Sequence, residues 1–492
     1  MTGALSFDSF ILLIFRYLQN FLTELLSFRR DRRRVVGRTP SSAAGPLAGL
    51  SRAKCGTRAS LADQGSRPTM LAGCPGLGEY AALEWHPAAG CYDGSVRKSV
   101  LALASALMGI AAFAQAPPAE SPAALVERGY DHFYNIEYPE AIADFERAIA
   151  LDPGVPDYHN HLAQAIVFQE MYRNGALESE LVSGNNSFLR RPKMNPAAAV
   201  EKRFLDEVAR SMQLCEARLR KNPNDTAAMY AEGIAYGLRS DYYWVVKKSW
   251  RDSLSDATAA RRLHNRISQL EPGNVDARMV DGLHDYIVGS LPWHFRMFGF
   301  LIGIRGDKEK GIRTVQDVAR NGKDNKLDAT IFLCALYRRE NRPRMAVPLI
   351  LDLIQRFPRN YILRLELAEM DSMSNDKNGA LAALAQVSDL KTRHAPGFDR
   401  LPWEKIYYQE GVIQFWYRDL DQALENLAKV AAHSSDVDLN TGAYTYLRMG
   451  QIYDMTQRRA LAMESYRKAI AYAPEAAASQ EAGKYLSTPY RR

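Results

Sequence analysis

GQIYDMTQRRALAMESYRKAIAYAP occupies residues 450–474, and GYDHFYNIEYPEAIADFERAIALDP at 129–153 has the same skeleton. In each, a glycine (Gly450, Gly129) is followed twelve residues on by an alanine (Ala462, Ala141). An aromatic comes four further on (Tyr466, Phe145) and an alanine three beyond that (Ala469, Ala148). A proline closes the stretch twelve residues after the first alanine (Pro474, Pro153). Tyr453 adds an aromatic three residues after the first position, as Tyr337 does in a third copy built on Cys334, Ala346, Ile350, Leu353 and Pro358. Ala368, Ala380, Leu384 and Val387 keep most of the spacing, and so do Gly411, Ala423, Leu427 and Val430.

This spacing predicts a helix hairpin. A small first residue lets helix A approach helix B, and the alanine twelve residues later is its partner. The side chains four and seven residues beyond that alanine share its face of helix B. The proline cannot continue the helix, so it ends the unit. Neither helix buries its face alone, which makes stacking of units obligatory.

On these residues the sequence resembles the tetratricopeptide repeat family. The match is good over 122–155 and 443–476 and fair over 327–360, 361–394 and 404–437. Gly233 with Tyr236 and Gly282 with Tyr286 read as helix-A halves of degenerate units, each glycine ten residues after a turn proline, Pro223 or Pro272. The resemblance implies an all-α, right-handed superhelix of roughly seven hairpins over 122–486. Insertions fall near 170–200 and 287–312, and 487–492 form a tail. It also implies that helix A lines a concave groove. Groove positions would then be Tyr130, Phe133, Asn160, Gln164 and Phe168 in the first units and Arg338, Arg339, Tyr408, Phe415, Trp416 and Gln451 in later ones. Aromatics with Arg and Asn/Gln suit an extended peptide. The Lys/Asn clamp that holds chaperone-tail carboxylates is absent at these positions. The implied function is a scaffold or adaptor that binds a protein or peptide, with no catalysis and no cofactor.

The N-terminal quarter reads differently. Residues 96–114, VRKSVLALASALMGIAAFA, have a secretory signal's positive start at Arg97 and Lys98 and an apolar stretch too short to span a bilayer. A small-x-small site ends at Ala114, with cleavage before Gln115, and 115–121 form a linker. Residues 1–95 read as a disordered or spurious extension, with the true start near Val96, which fits a GTG codon. The expectation is therefore a periplasmic or secreted bacterial protein. The alternative is a membrane-attached assembly factor, anchored through 6–28 or touching lipid through 291–304. Asp8, Arg16 and Glu24 weigh against a span at 6–28, and 291–304 reads first as a buried insertion.

Charge narrows the partners. Of 63 Lys+Arg and 56 Asp+Glu, residues 1–114 hold 13 and 7, so the body is near neutral. It has no overall basic footprint for nucleic acid. No C-x-x-C, P-loop, His-Glu-x-x-His or Gly-x-Ser-x-Gly occurs. Cys215 and Cys334 read as buried free thiols. His159 and His161 project about 200° apart on a helix and do not converge on a metal. Asp281 and His284 share a helix face, so a hydrogen bond between them is expected. Arg305-Gly306-Asp307 reads as a turn with Asp307 capping the next helix. Asn185 and Asn224 match the glycosylation pattern, which carries little weight in a bacterial protein. An all-helical enzyme recruiting Asp281, Asp285 and Glu410 is the remaining rival.

Overall fold

The computed structural model describes residues 120–174, 177, 194–301, 305–474 and 476–492. The readings on 1–114, including the cleavage site at Ala114 and Gln115, lie outside the described residues, as do most of the 170–200 insertion and Asn185. Among the described residues the regular elements are helices. They are α1 (Pro122–Tyr134), α2 (Tyr138–Leu151), α3 (Pro156–Arg173), α4 (Ala198–Lys221), α5 (Thr226–Asp241), α6 (Trp250–Leu270), α7 (Met279–Gly289), α8 (Trp293–Leu301) and α9 (Lys308–Asn321). The series continues with α10 (Lys326–Arg339), α11 (Pro343–Arg356), α12 (Tyr361–Met373), α13 (Lys377–Thr392), α14 (Trp403–Trp416), α15 (Leu420–Ala432), α16 (Leu439–Met455), α17 (Arg459–Tyr472) and α18 (Ala477–Ser487).

They pair as hairpins: α1/α2, α3/α4, α5/α6, α7/α9, α10/α11, α12/α13, α14/α15 and α16/α17, closed by α18. This is an all-α solenoid. The two degenerate halves, built on Gly233 and Gly282, are α5 and α7. The 287–312 insertion resolves into the short α8 and the first turn of α9. Asp307 does cap α9, accepting from the Lys310 amide at 2.8 Å.

The repeat signature is a packing rule. A Cβ added at Gly129 would sit 2.5 Å from a Phe145 ring carbon, and one at Gly450 would sit 2.5 Å from Tyr466. Ala141, Phe145, Ala148, Ala462, Tyr466 and Ala469 are all fully buried. Between helices A and B, the chain turns through a left-handed residue seven positions after the first one. These are Ile136, Asn341, Asn375, Arg418 and Gln457, with φ between 54° and 67°. A single αL residue reverses the chain compactly, and the loop tolerates a non-glycine there because both flanking helices fix it.

The solenoid also returns on itself. Tyr134 at the end of α1 stacks against Phe357 at 5.0 Å. Asn135 accepts from the Arg359 amide at 3.0 Å. The Arg359 guanidinium donates to Glu137 at 2.9 Å and to Asp131 at 2.6 Å. Arg400 reaches Glu140 at 2.8 Å, and the Tyr172 and Tyr361 hydroxyls meet at 2.8 Å. One apolar core accordingly joins Phe133, Phe145 and Ile166 of the first hairpins to Leu365, Leu384 and Phe398 of the sixth.

Cys215 and Cys334 are free and buried, and burial pushes both thiols up to about 12. His264 on α6 is 1% exposed, neither ring nitrogen has a partner, and burial holds its pKa down to about 4. The folded protein therefore keeps His264 neutral where the unfolded chain protonates it. Stability falls as pH drops from about 6.5 toward 4, by on the order of 3 kcal/mol for this group. His264→Phe removes that loss, and thermal melts of variant and parent between pH 7 and 4.5 should diverge as the pH is lowered.

Candidate functional site

Helices α1, α3 and α10 bring one polar cluster together. Tyr130 lies over His161, rings 4.8 Å apart, and its hydroxyl meets His161 Nδ1 at 2.6 Å and Gln164 Oε1 at 3.5 Å. Tyr134 donates to Asp328 at 3.0 Å. Burial holds His161 down to about 4, so the imidazole is neutral and shares a hydrogen bond with the phenol. Burial also raises Asp157 and Asp328. Desolvation raises Asp324, with Asp276 adding to the effect. The wall thus offers phenols, a neutral imidazole and partly desolvated carboxylates. Such a surface both donates and accepts hydrogen bonds, as polypeptide main chain requires.

Of the groove positions expected from sequence, Tyr130 and Gln164 belong to this wall. Phe133 does not: it is 4% exposed and packs on Phe168 at 5.1 Å. Asn160 is buried and donates to the Ala231 carbonyl at 2.8 Å, tying α3 to α5. Arg338 is buried between Glu366, at 2.9 Å, and Glu369. Arg339 lies over the Tyr286 ring at 5.6 Å. The reason is geometric. A helix in this layer packs on its own helix B and also on the next helix A, so little of its surface is left free.

The last helix-A positions form a second arrangement. Phe415 is fully buried with Tyr408 beside it, and Trp416 stays 43% exposed. Gln451 is fully buried; it accepts from Arg448 at 2.6 Å and donates to Glu481 at 3.1 Å. Residues 488–492, which have no regular structure, run back across this corner. The Tyr490 amide donates to Asp454 at 2.8 Å, and its ring lies 6.3 Å from Phe415. Arg418 donates to the Arg492 carbonyl at 3.0 Å. The Arg492 and Arg448 guanidiniums sit 4.4 and 5.0 Å from the Trp416 ring centre. An extended segment is thereby held by main-chain hydrogen bonds and cation–π contacts.

The rival catalytic set is not assembled. Asp281 pairs with Arg261 at 2.8 Å, and Arg261 also reaches His284 at 3.1 Å, so the arginine replaces the expected Asp281–His284 bond. Asp285 pairs with Lys310 at 2.7 Å, whereas Glu410 belongs to α14. His159 bonds Glu207 at 2.6 Å, apart from His161 with its own partner. Among the described residues no group of three His, Cys, Asp or Glu side chains is placed to hold a metal ion.

Residues 443–475 match the model of the tetratricopeptide repeat. The match places a tetratricopeptide repeat at 443–475, and the same hairpin packing recurs along the described chain; such repeats serve as protein-interaction scaffolds. No curated protein matches. Solved structures similar to the chain include yeast Tom70, at 12% identity and TM-score 0.32, covering 74% of this chain and 95% of that one. Another is the APC/C hetero-tetramer Cut9–Hcn1, at 13% identity and TM-score 0.34, covering 79% and 81%. A third is a tetratricopeptide repeat protein from Parabacteroides merdae, at 13% identity and TM-score 0.27, covering 70% and 100%.

Proposed function

We propose that this protein is a non-catalytic adaptor of the bacterial cell envelope that binds an extended peptide segment of a partner on its helix-A faces. The observation that carries the reading is the seat of residues 488–492 on Phe415, Trp416, Arg418 and Asp454. A short unstructured segment is held there by the interactions that an extended peptide ligand uses. The signal-like run at 96–114 supports export, and N-terminal sequencing of the mature chain from fractionated cells tests that part.

Binding is tested with a fluorescein-labelled peptide of residues 487–492, Ser-Thr-Pro-Tyr-Arg-Arg. In the full chain it competes with its own tail, present at an effective concentration near the millimolar range. A full-chain Tyr490→Gly/Arg492→Ala variant loosens the tail and should bind the peptide at least about tenfold more tightly. Adding Trp416→Ala should abolish that gain. Equal anisotropy titrations for parent and loosened variant would rule out a peptide site at this corner.

A further inference from the structure

Helix α8 is a stretch whose sequence reading the structure reverses from buried to exposed. Residues 291–304 read as a buried insertion, yet Trp293 is 70% exposed, Met297 50% and Phe300 58%. Their spacing of four and three residues stacks them on one helix face, over about 10 Å of helix length. The physical cause is the place of α8 in the chain. It is inserted between α7 and α9, which pair with each other as hairpin partners, and the three side chains of its stripe stay half or more exposed.

The flanks are cationic. No Asp or Glu occurs from 286 to 306, whereas Arg296 and Arg305 both lie exposed there. Arg305 rests on the Phe300 ring at 4.5 Å. No Asn or Gln occurs in the same span. A protein-docking patch has a polar rim that forms hydrogen bonds around its apolar centre. Here the charged side chains within the span are the two arginines, with Asp307, Lys308, Glu309 and Glu340 around the pocket beside Arg296. Trp and Phe on one side with Arg beside them is the composition of an interfacial helix attracted to anionic lipid. Among the described residues no helix is long and apolar enough to cross a membrane, so such contact is superficial.

We infer that α8 is a membrane-surface contact. Trp293, Met297 and Phe300 enter the headgroup region of an anionic phospholipid bilayer, and Arg296 and Arg305 lie against lipid phosphates. This is independent of the peptide site on α14 and α16. The full chain, incubated with phosphatidylglycerol–phosphatidylcholine vesicles, should float with them. It should float less with pure phosphatidylcholine and less as salt rises. Trp293→Ser/Phe300→Ser should weaken flotation at least tenfold, and Arg296→Ala/Arg305→Ala should remove most of the salt dependence. All four side chains are exposed, so these variants should melt with the parent. Amide exchange across 293–301 should slow when anionic vesicles are added. Unchanged exchange there overturns the inference, even if the chain floats through another segment. So does flotation that the stripe variant retains, or a loss of self-association in gel filtration with no lipid binding.

Discussion

Gly450→Val should unfold the last hairpin while leaving the first ones standing. The added Cβ would meet Tyr466 at 2.5 Å. The Tyr466 ring cannot retreat, because it is fully buried and its hydroxyl donates to Asp454 at 2.9 Å. Asp454 in turn holds Arg459 at 2.9 Å and the Tyr490 amide at 2.8 Å, so a displaced ring disturbs three partners. The cost should reach the upper end of the roughly 1–3 kcal/mol typical of overpacking. Because repeats rely on neighbours, the damage should stay local. Hydrogen exchange should accelerate across 443–487 and remain slow across 122–173. Gly450→Val/Tyr466→Ala should lose less than the two single changes added together, since one clash is common to both. Parent-like exchange in Gly450→Val would show that the hairpin does not depend on this contact.

Arg359→Ala should open the return contact between the first and sixth hairpins. Arg359 grips Glu137 through Nε and Nη2 and reaches Asp131 through the same Nη2, so removing it leaves the mostly buried Glu137 with His132 as its other close partner. A loss of about 2–3 kcal/mol in the free energy of closure is expected. Arg359→Lys should not restore it, because one ammonium cannot reproduce the planar fork. Burial pushes the Glu137 pKa up, but Arg359 and His132 outweigh burial and hold it below the ordinary carboxylate value. Its contribution is therefore present above the unfolded carboxylate pKa and disappears as pH falls through the lower folded value. In the parent, protection of the 357–361 amides should weaken in that acid range, and in Arg359→Ala it should be weak already at neutral pH. Identical protection in both proteins would mean that the aromatic and main-chain contacts hold the closure alone.

What the sequence disclosed follows the range of the interactions. Gly129 with Phe145 and Gly450 with Tyr466 lie within one hairpin, so a fixed spacing records the contact. The left-handed loop position is equally periodic but has no sequence signature, because Ile136, Asn341, Asn375, Arg418 and Gln457 share a backbone angle and no side-chain chemistry. Return contacts such as Tyr134 with Asp328 join residues far apart in the chain and leave no local trace. The groove positions suffered from the same limit. Helical periodicity gives the faces of α3 or α14 but not which one the next helix A takes, so Asn160, Phe415 and Gln451 were placed outward although they are buried. For α8 the error ran the other way, since an apolar stripe does not reveal whether its side chains end up covered.

The return contact has a consequence for biosynthesis. Asp131 and Arg359 are separated by 228 residues. At the usual 5–20 residues per second, the first hairpin waits roughly 10–45 s after its own synthesis before its partner exists. During that interval Tyr134 lacks Phe357 and Asp328, and Asn135 and Asp131 lack Arg359. Neighbouring hairpins can form as they are made, because their contacts are local. Closure of the loop is then the slow, late event, and until it occurs the nascent chain carries an unsealed end that a chaperone would meet first.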